Sequence, residues 1–291
     1  MELIDGKKIA QQIKNELAVK TAAIIDAGSE PPHLAAVLVG SHPASQTYIA
    51  SKEKACLSVG FTSSVYRYDE TISEQQLLDV VDFLNNDPEV NGFIVQLPLP
   101  AHINANKVLQ RISPAKDVDG FHPVNVGRLA LGLPSYLPAT PAGIMLLLEK
   151  YGIETEGKHC VVLGRSNIVG TPMSLLMSRK SNPGNSTVTL CHSKSKDLAS
   201  ITRQADILIA AIGQPLFVKK EMVKAGAVVI DVGIHRIEDN SEKGYHICGD
   251  VDFDNVAAMC SYITPVPGGV GPMTIVSLLL NTFKAYKAEI Y

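Results

Sequence analysis

Ser45, Tyr48 and Lys52 stand at i, i+3 and i+7 in a stretch, 43–59, that reads as a helix opened by Pro43. On a helix they fall within one narrow face. A lysine and a phenol on one face could move protons at a bound substrate. Gln96 lies in the apolar run Phe93 to Leu99, where a buried amide needs hydrogen-bond partners. The turn Lys116-Asp-Val-Asp-Gly120 adds Asp117 and Asp119, and His122 beside it reads as a turn residue. Spacing alone leaves a plain surface pair at Tyr48/Lys52 and an Asx turn at Asp119 open beside catalysis.

A second group lies further along. Gly164-Arg-Ser-Asn-Ile-Val-Gly170 follows a strand and opens a helix, the place where a dinucleotide pyrophosphate meets free N–H groups. Its spacing is not G-x-G-x-x-G, so a ligand-free turn stays open. The next strand ends Cys191-His-Ser-Lys194, without the carboxylate an NAD site usually sets on the ribose. Arg165 and Ser193, with Lys194, could instead hold a 2′-phosphate, which favours NADP over NAD. Solvated surface polars are the competing reading.

These residues need a frame. Leu34–Val39, Val65–Tyr68 and Gly92–Leu97 read as strands, the first buried on both faces. A helix over 43–59 and one opened by the capping-box pattern Thr71-Ile-Ser-Glu74 and running to Asn85 separate them, which predicts a parallel α/β unit. In such a sheet, ligands bind at the strands' carboxyl edge, where the Lys52 face and Gln96 converge. Thr140–Tyr151 reads as a connecting helix. Strands His159–Gly164, Thr187–Cys191, Ala205–Ala211 and Ala227–Val232, with a helix over 171–180, form a second α/β unit. A last helix, Thr274 to Ala288, is expected to return to the first domain. The chain of 291 residues suits two domains at roughly 150 residues each. The expected division is 1–139 plus 272–291, catalytic, and 140–271, nucleotide-binding.

Composition excludes several classes. The net charge of −3 argues against a nucleic-acid or anionic-membrane binder. Prolines interrupt both long uncharged stretches, so neither reads as a membrane helix, and no targeting segment is visible. Cys56, Cys160, Cys191, Cys248 and Cys260 lack zinc-ligand or redox spacing. The eight histidines form no zinc-like cluster, so no metal is expected. The reading is a cytoplasmic protein with thiols.

Pro43-Ala-Ser-Gln-Thr-Tyr-Ile-Ala-Ser-Lys52 resembles the folate-side helix of the bifunctional methylenetetrahydrofolate dehydrogenase/cyclohydrolase family. Val95-Gln-Leu-Pro-Leu-Pro100, Lys116-Asp-Val-Asp-Gly-Phe121, Gly164–Pro172 and Asp231-Val-Gly-Ile234 resemble it too. Pro265-Val-Pro-Gly-Gly-Val-Gly-Pro-Met-Thr274 is the most specific match. The resemblance runs in order along nearly the whole chain, and the length suits the compact bacterial form. It implies an N-terminal parallel-sheet folate domain, a Rossmann-type NADP domain and commonly a homodimer. Lys52 would be the catalytic lysine, Tyr48 its neighbour over the substrate, Gln96 the residue that tunes Lys52, and Asp119 the pterin ligand. Pro267 would touch the folate from a loop where the domains meet. Gly164, Arg165, Ser166, Ser193 and Ile234 would touch NADP. The implied activity oxidises 5,10-methylenetetrahydrofolate with NADP and hydrolyses the methenyl product to 10-formyltetrahydrofolate in one cleft. The alternatives are another two-domain NADP dehydrogenase, such as a shikimate- or amino-acid-type enzyme, and a non-catalytic nucleotide-binding scaffold.

Overall fold

The computed structural model describes residues 1–241 and 244–291. The chain starts with β1 (Glu2–Leu3), α1 (Gly6–Asp26), β2 (His33–Val39), α2 (Pro43–Ser58), β3 (Thr62–Tyr68) and α3 (Glu74–Asn86). It continues with β4 (Gly92–Val95), α4 (Ala105–Arg111), α5 (Pro123–Ala130) and α6 (Ala139–Lys150). Then come β5 (His159–Leu163), α7 (Gly170–Ser178), β6 (Thr187–Cys191), α8 (Leu198–Thr202), β7 (Ile207–Ala210) and β8 (Val228–Asp231). The last elements are β9 (His235–Glu238), β10 (Tyr245–Cys248), α9 (Phe253–Val256), β11 (Tyr262–Ile263) and α10 (Val270–Tyr286).

Two compact units result: Gln11–Ala139 with Ile275–Tyr291, and Met1–Ala10 with Thr140–Thr274. The first ten residues, expected in the first domain, therefore group with the second. The reason is a strand pairing: β1 runs parallel to β11, Glu2 opposite Tyr262 and Leu3 opposite Ile263.

In the unit built on Gln11–Ala139, three parallel strands lie in the order β3-β2-β4. The central β2 is apolar on both faces because both faces are covered, and only His33 is not fully buried. Val37, Leu77, Val81, Leu84, Phe93 and Val95 share one core cluster. A capping box opens α3: Ser73 Oγ accepts from Gln76 N at 3.2 Å, and Gln76 Oε1 accepts from Ser73 N at 3.0 Å. The sequence pattern set this box two residues early. Thr71 instead donates from its N and Oγ to Asp69 Oδ1, at 3.0 and 2.9 Å.

The expected C-terminal helix begins earlier than Thr274. Pro272 sits in the first turn of α10, where a missing N–H leaves no bond unmade. From Ile275 onward the helix groups with Gln11–Ala139, while residues 272–274, expected in the same domain, group with the other unit. Asn281 Nδ2 donates to Val118 O and Leu137 O at 2.8 and 2.9 Å, and Phe283 stacks on Phe61.

The other unit holds a six-stranded sheet, β1-β11-β8-β7-β5-β6, with every pair parallel. After β6 the chain passes back over β5 to β7, so strand order reverses between β5 and β7. That reversal leaves a crevice at the carboxyl ends of the two strands. A separate antiparallel pair, β9-β10, follows β8. Among the described residues, no helix is long and apolar enough to cross a membrane.

Candidate active site

Helix α2 follows β2, and Gln96 follows β4, its neighbour in the sheet. Gln96 N still donates to Val37 O at 2.9 Å, although the strand, expected to run to Leu97, ends at Val95. Sheet register therefore fixes where the amide stands relative to α2. Lys52 is 5% exposed, on the same helix face as buried Ser45, Ile49 and Cys56. Its Nζ donates to Gln96 Oε1 at 3.3 Å and lies 4.4 Å from the centre of the Tyr48 ring. Gln96 Nε2 donates to Leu97 O at 2.7 Å, so both ends of the amide are used and its orientation is set. Lys52 is thus buried against an aromatic face, and the plain surface pair that spacing alone leaves open is not what forms.

Burial pushes the Lys52 ammonium below its ordinary pKa, and the charge of Asp119 pulls it back up. Asp119 is half-buried; burial raises its carboxyl and the charge of Lys52 lowers it. The structure therefore brings Lys52, Tyr48, Gln96 and Asp119 into one electrostatic group.

Asp117 plays a different part. It is 2% exposed and accepts from Phe121 N, His122 N and Asn125 Nδ2 at 3.2, 2.8 and 2.8 Å. Burial pushes its carboxyl up to about 7 against these three bonds. Asp117 holds the turn that carries Asp119. His122 caps α5, its Nδ1 accepting from Val124 N at 3.1 Å, in keeping with a turn role.

In the six-stranded unit, β5 and β6 pair with Leu163 opposite Cys191. The segments after them, Gly164–Ser166 and His192–Lys194, therefore leave adjacent strand ends. Arg165, Ser166, Ser193 and Lys194 are all exposed. Gly164 has φ +118° and stands so close to β7 that a Cβ would lie 2.0 Å from Ala211 O. Ser166 Oγ accepts from Val169 N and Gly170 N, which shapes the turn leading into α7. Ile234, after β8, is 67% exposed. Pro267 is exposed in the loop before α10, where Gly268 O accepts from Lys7 N at 3.0 Å. Among the described residues, no cluster of three His, Cys, Asp or Glu could hold a metal ion.

Residues 4–119 match the family model described as tetrahydrofolate dehydrogenase/cyclohydrolase, catalytic domain. Residues 138–290 match the model for the NAD(P)-binding domain of the same family. The chain belongs to the tetrahydrofolate dehydrogenase/cyclohydrolase family. It is 60% identical over 292 residues to a bifunctional protein FolD of Bacteroides thetaiotaomicron, with 100% of both chains covered. Its fold is similar to a crystal structure of the bifunctional FolD of Campylobacter jejuni, with TM-score 0.93, 50% identity and 99% of each chain covered. It is also similar to the Trypanosoma brucei methylenetetrahydrofolate dehydrogenase-cyclohydrolase complexed with NADP cofactor and inhibitor. That similarity has TM-score 0.93 and 38% identity, covering 99% of this chain and 98% of that one.

One group in this family member escapes sequence reasoning. Asp231 and Asp250 are 3% and 0% exposed. Asp231 accepts from Gly233 N, Asp250 N and Val251 N, each at 2.9 Å. Burial pushes it up to about 6 against those bonds. Asp250 accepts from Ile212 N, Gly213 N and His235 Nε2 at 2.7, 3.0 and 2.8 Å. Apart from Gly233 N and the His235 ring, the partners are backbone atoms 19 to 38 residues away, so no local pattern announces the pair.

Proposed function

We propose that this chain oxidises 5,10-methylenetetrahydrofolate to 5,10-methenyltetrahydrofolate with NADP, then hydrolyses the product to 10-formyltetrahydrofolate. The observation that carries the reading is the buried Lys52 held between the Tyr48 ring and the Gln96 carbonyl, in a chain of this family. Bound NADP would supply the acceptor for the hydride that leaves the methylene carbon.

The strand ends after β5 and β6 fit that cofactor. A glycine turn at a helix start offers free N–H groups to a pyrophosphate. Arg165, Ser193 and Lys194 stand exposed beside it with no carboxylate at the end of β6, so a 2′-phosphate meets cations and a hydroxyl. Ser166 shapes the turn, Ile234 offers an apolar contact, and Pro267 touches the folate. Arg165→Ala is expected to weaken NADP by about 1–3 kcal/mol and NAD far less. Binding titrations with both dinucleotides check this, and equal losses would remove Arg165 from the 2′-phosphate.

Oxidation leaves a cation shared between two nitrogens, so no base at carbon is required. The chain's work there is to hold the methylene in a near-attack geometry. Asp119 accepts N–H bonds from the pterin edge and fixes which face is presented. Hydrolysis needs proton transfers. Neutral Lys52 takes a proton from water as its oxygen bonds to the methenyl carbon. A proton is returned to the ring nitrogen as its carbon–nitrogen bond breaks and the formyl carbonyl forms. One proton is released overall. Burial and the cationic substrate both favour neutral Lys52.

The same reading places the protein in the cytoplasm as a homodimer that binds neither nucleic acid nor membrane. Support for a dimer is the free side of β3, an edge strand, with exposed Leu57 and Phe83 on the helices before and after it. A two-wavelength assay with methylenetetrahydrofolate and NADP tests the activities together. NADPH is expected to rise with little methenyl build-up. Stoichiometric methenyl accumulation would leave a dehydrogenase only, and no NADPH with either dinucleotide would defeat the reading.

A further inference from the structure

Strand order in the six-stranded sheet reverses between β5 and β7, so the backbone after these two strands frames the crevice. After β5 comes the Gly164 turn; after β7 come Ala211, Ile212 and Gly213. The two are in direct contact, since the Gly164 α-carbon faces the Ala211 carbonyl too closely to admit a methyl group. Wherever Ala211–Gly213 sits, the glycine turn must sit with it.

Asp250 sets the position of that backbone. One carboxylate oxygen, Oδ2, accepts from both Ile212 N and Gly213 N. The other, Oδ1, accepts from His235 Nε2 at the start of β9. Asp250 is itself held by its own N–H, which donates to Asp231 Oδ1, and Asp231 Oδ1 also receives Gly233 N beside Ile234. Two buried carboxylates thus tie together the segments that leave β7 and β8. A carboxylate with no solvent contact is costly unless every lone pair is used. Here that requirement is met almost wholly by loop backbone, not by a cationic side chain, so the loops are held where the carboxylates need them.

We propose that Asp250 is a positioning residue for the dinucleotide: it fixes the backbone after β7 and, through the contact at Ala211, the seat of the Gly164 turn. The role rests on the NADP reading above. It touches no reacting atom, so its effect falls on cofactor binding and oxidation and not on hydrolysis of the methenyl substrate.

The test uses the full chain with Asp250→Ala, Asp250→Asn and His235→Ala. NADP Kd is measured by titration, and oxidation and methenyl hydrolysis are assayed separately. Asp250→Ala strands two N–H groups and is expected to raise NADP Kd about tenfold or more and lower the oxidation-to-hydrolysis ratio. Asp250→Asn keeps one oxygen for Ile212 and Gly213, and its NH₂ can meet the other tautomer of His235. It is expected to recover Kd to within about threefold of wild type. Wild-type Kd in Asp250→Ala, or equal loss of both activities with no rescue by Asn, overturns the proposal. If Asp250→Ala does not fold, His235→Ala decides: a rise of about two- to fivefold in Kd is expected, and no change overturns it. Wild-type protein that binds NADP but forms no NADPH defeats the reaction reading alone, and the Kd series still decides the role of Asp250.

Discussion

Lys52→Met is expected to lower methenyl hydrolysis by about a thousandfold or more while NADP affinity stays near the wild-type value. Met keeps most of the length of a side chain that is 5% exposed and leaves no amine to desolvate, so loss of folding is not the expected cause. The Gln96 carbonyl loses its lysine donor but is only half-buried, and water can replace it. The Gly164 turn belongs to the other compact unit, so NADP affinity is expected to hold. Hydrolysis, by contrast, loses the amine proposed to take a proton from the attacking water. Wild-type hydrolysis is expected to rise with pH as Lys52 loses its proton. The midpoint falls below 10.5, because burial disfavours the ammonium. Asp119→Asn removes the charge that favours the ammonium, so it moves this limb to lower pH. The pH profile of kcat/KM for methenyl hydrolysis reads both shifts. Hydrolysis retained in Lys52→Met would end the proposed role of this lysine, and a limb unmoved in Asp119→Asn would separate the two residues.

The elements that carry these groups were legible where one local signal decides the outcome. The run Leu-Ala-Ala-Val-Leu-Val can bury both faces only as a central strand, and β2 is one. His159-Cys-Val-Val-Leu and Thr187–Cys191 read equally clearly and form β5 and β6. Local signals failed where two compete. Thr71 and Ser73 are both plausible caps, and Asp69 decides by engaging Thr71. The loop Pro265–Pro272 looks unable to open a helix, yet proline is tolerated in a first turn, so α10 starts at Val270. The pair β9-β10 alternates polar and apolar residues without a strong apolar face, which hides it beside the continuous runs. Helical spacing put Tyr48 and Lys52 together, but no spacing could show that Lys52 is buried. That depends on Gln96, 44 residues away, arriving through the β2-β4 register. Asp231 and Asp250 lie further still from such rules, because all their partners but the His235 ring are main-chain atoms of any residue type.

Gly164→Ala is expected to weaken NADP binding about a hundredfold or more and to lower NADP-dependent oxidation with it. Two costs coincide there. At φ +118° an L-residue is strained by about 1–2 kcal/mol. The added methyl would also lie 2.0 Å from Ala211 O and 2.7 Å from Ala211 C, which are backbone atoms next to β7. Overpacking of this kind costs about 1–3 kcal/mol, and it can be relieved only by moving one strand end away from the other. Relief is hindered on both sides. Ile212 and Gly213 are bound to buried Asp250, and the Gly164 carbonyl is met by Gly170, where a Cβ would lie 1.9 Å from it. The turn must therefore shift at the point where its N–H groups would meet the pyrophosphate. Gly157→Ala supplies the comparison, because φ there is +69° with nothing within 4 Å of an added Cβ. It carries the conformational cost without the clash. Thermal melts of both variants, with NADP titrations, separate the two effects. Gly164→Ala is expected to bind NADP at least about a hundredfold more weakly, as the summed cost of about 3 kcal/mol implies, while Gly157→Ala binds normally. Gly164→Ala with wild-type NADP affinity would mean that the dinucleotide does not use this turn.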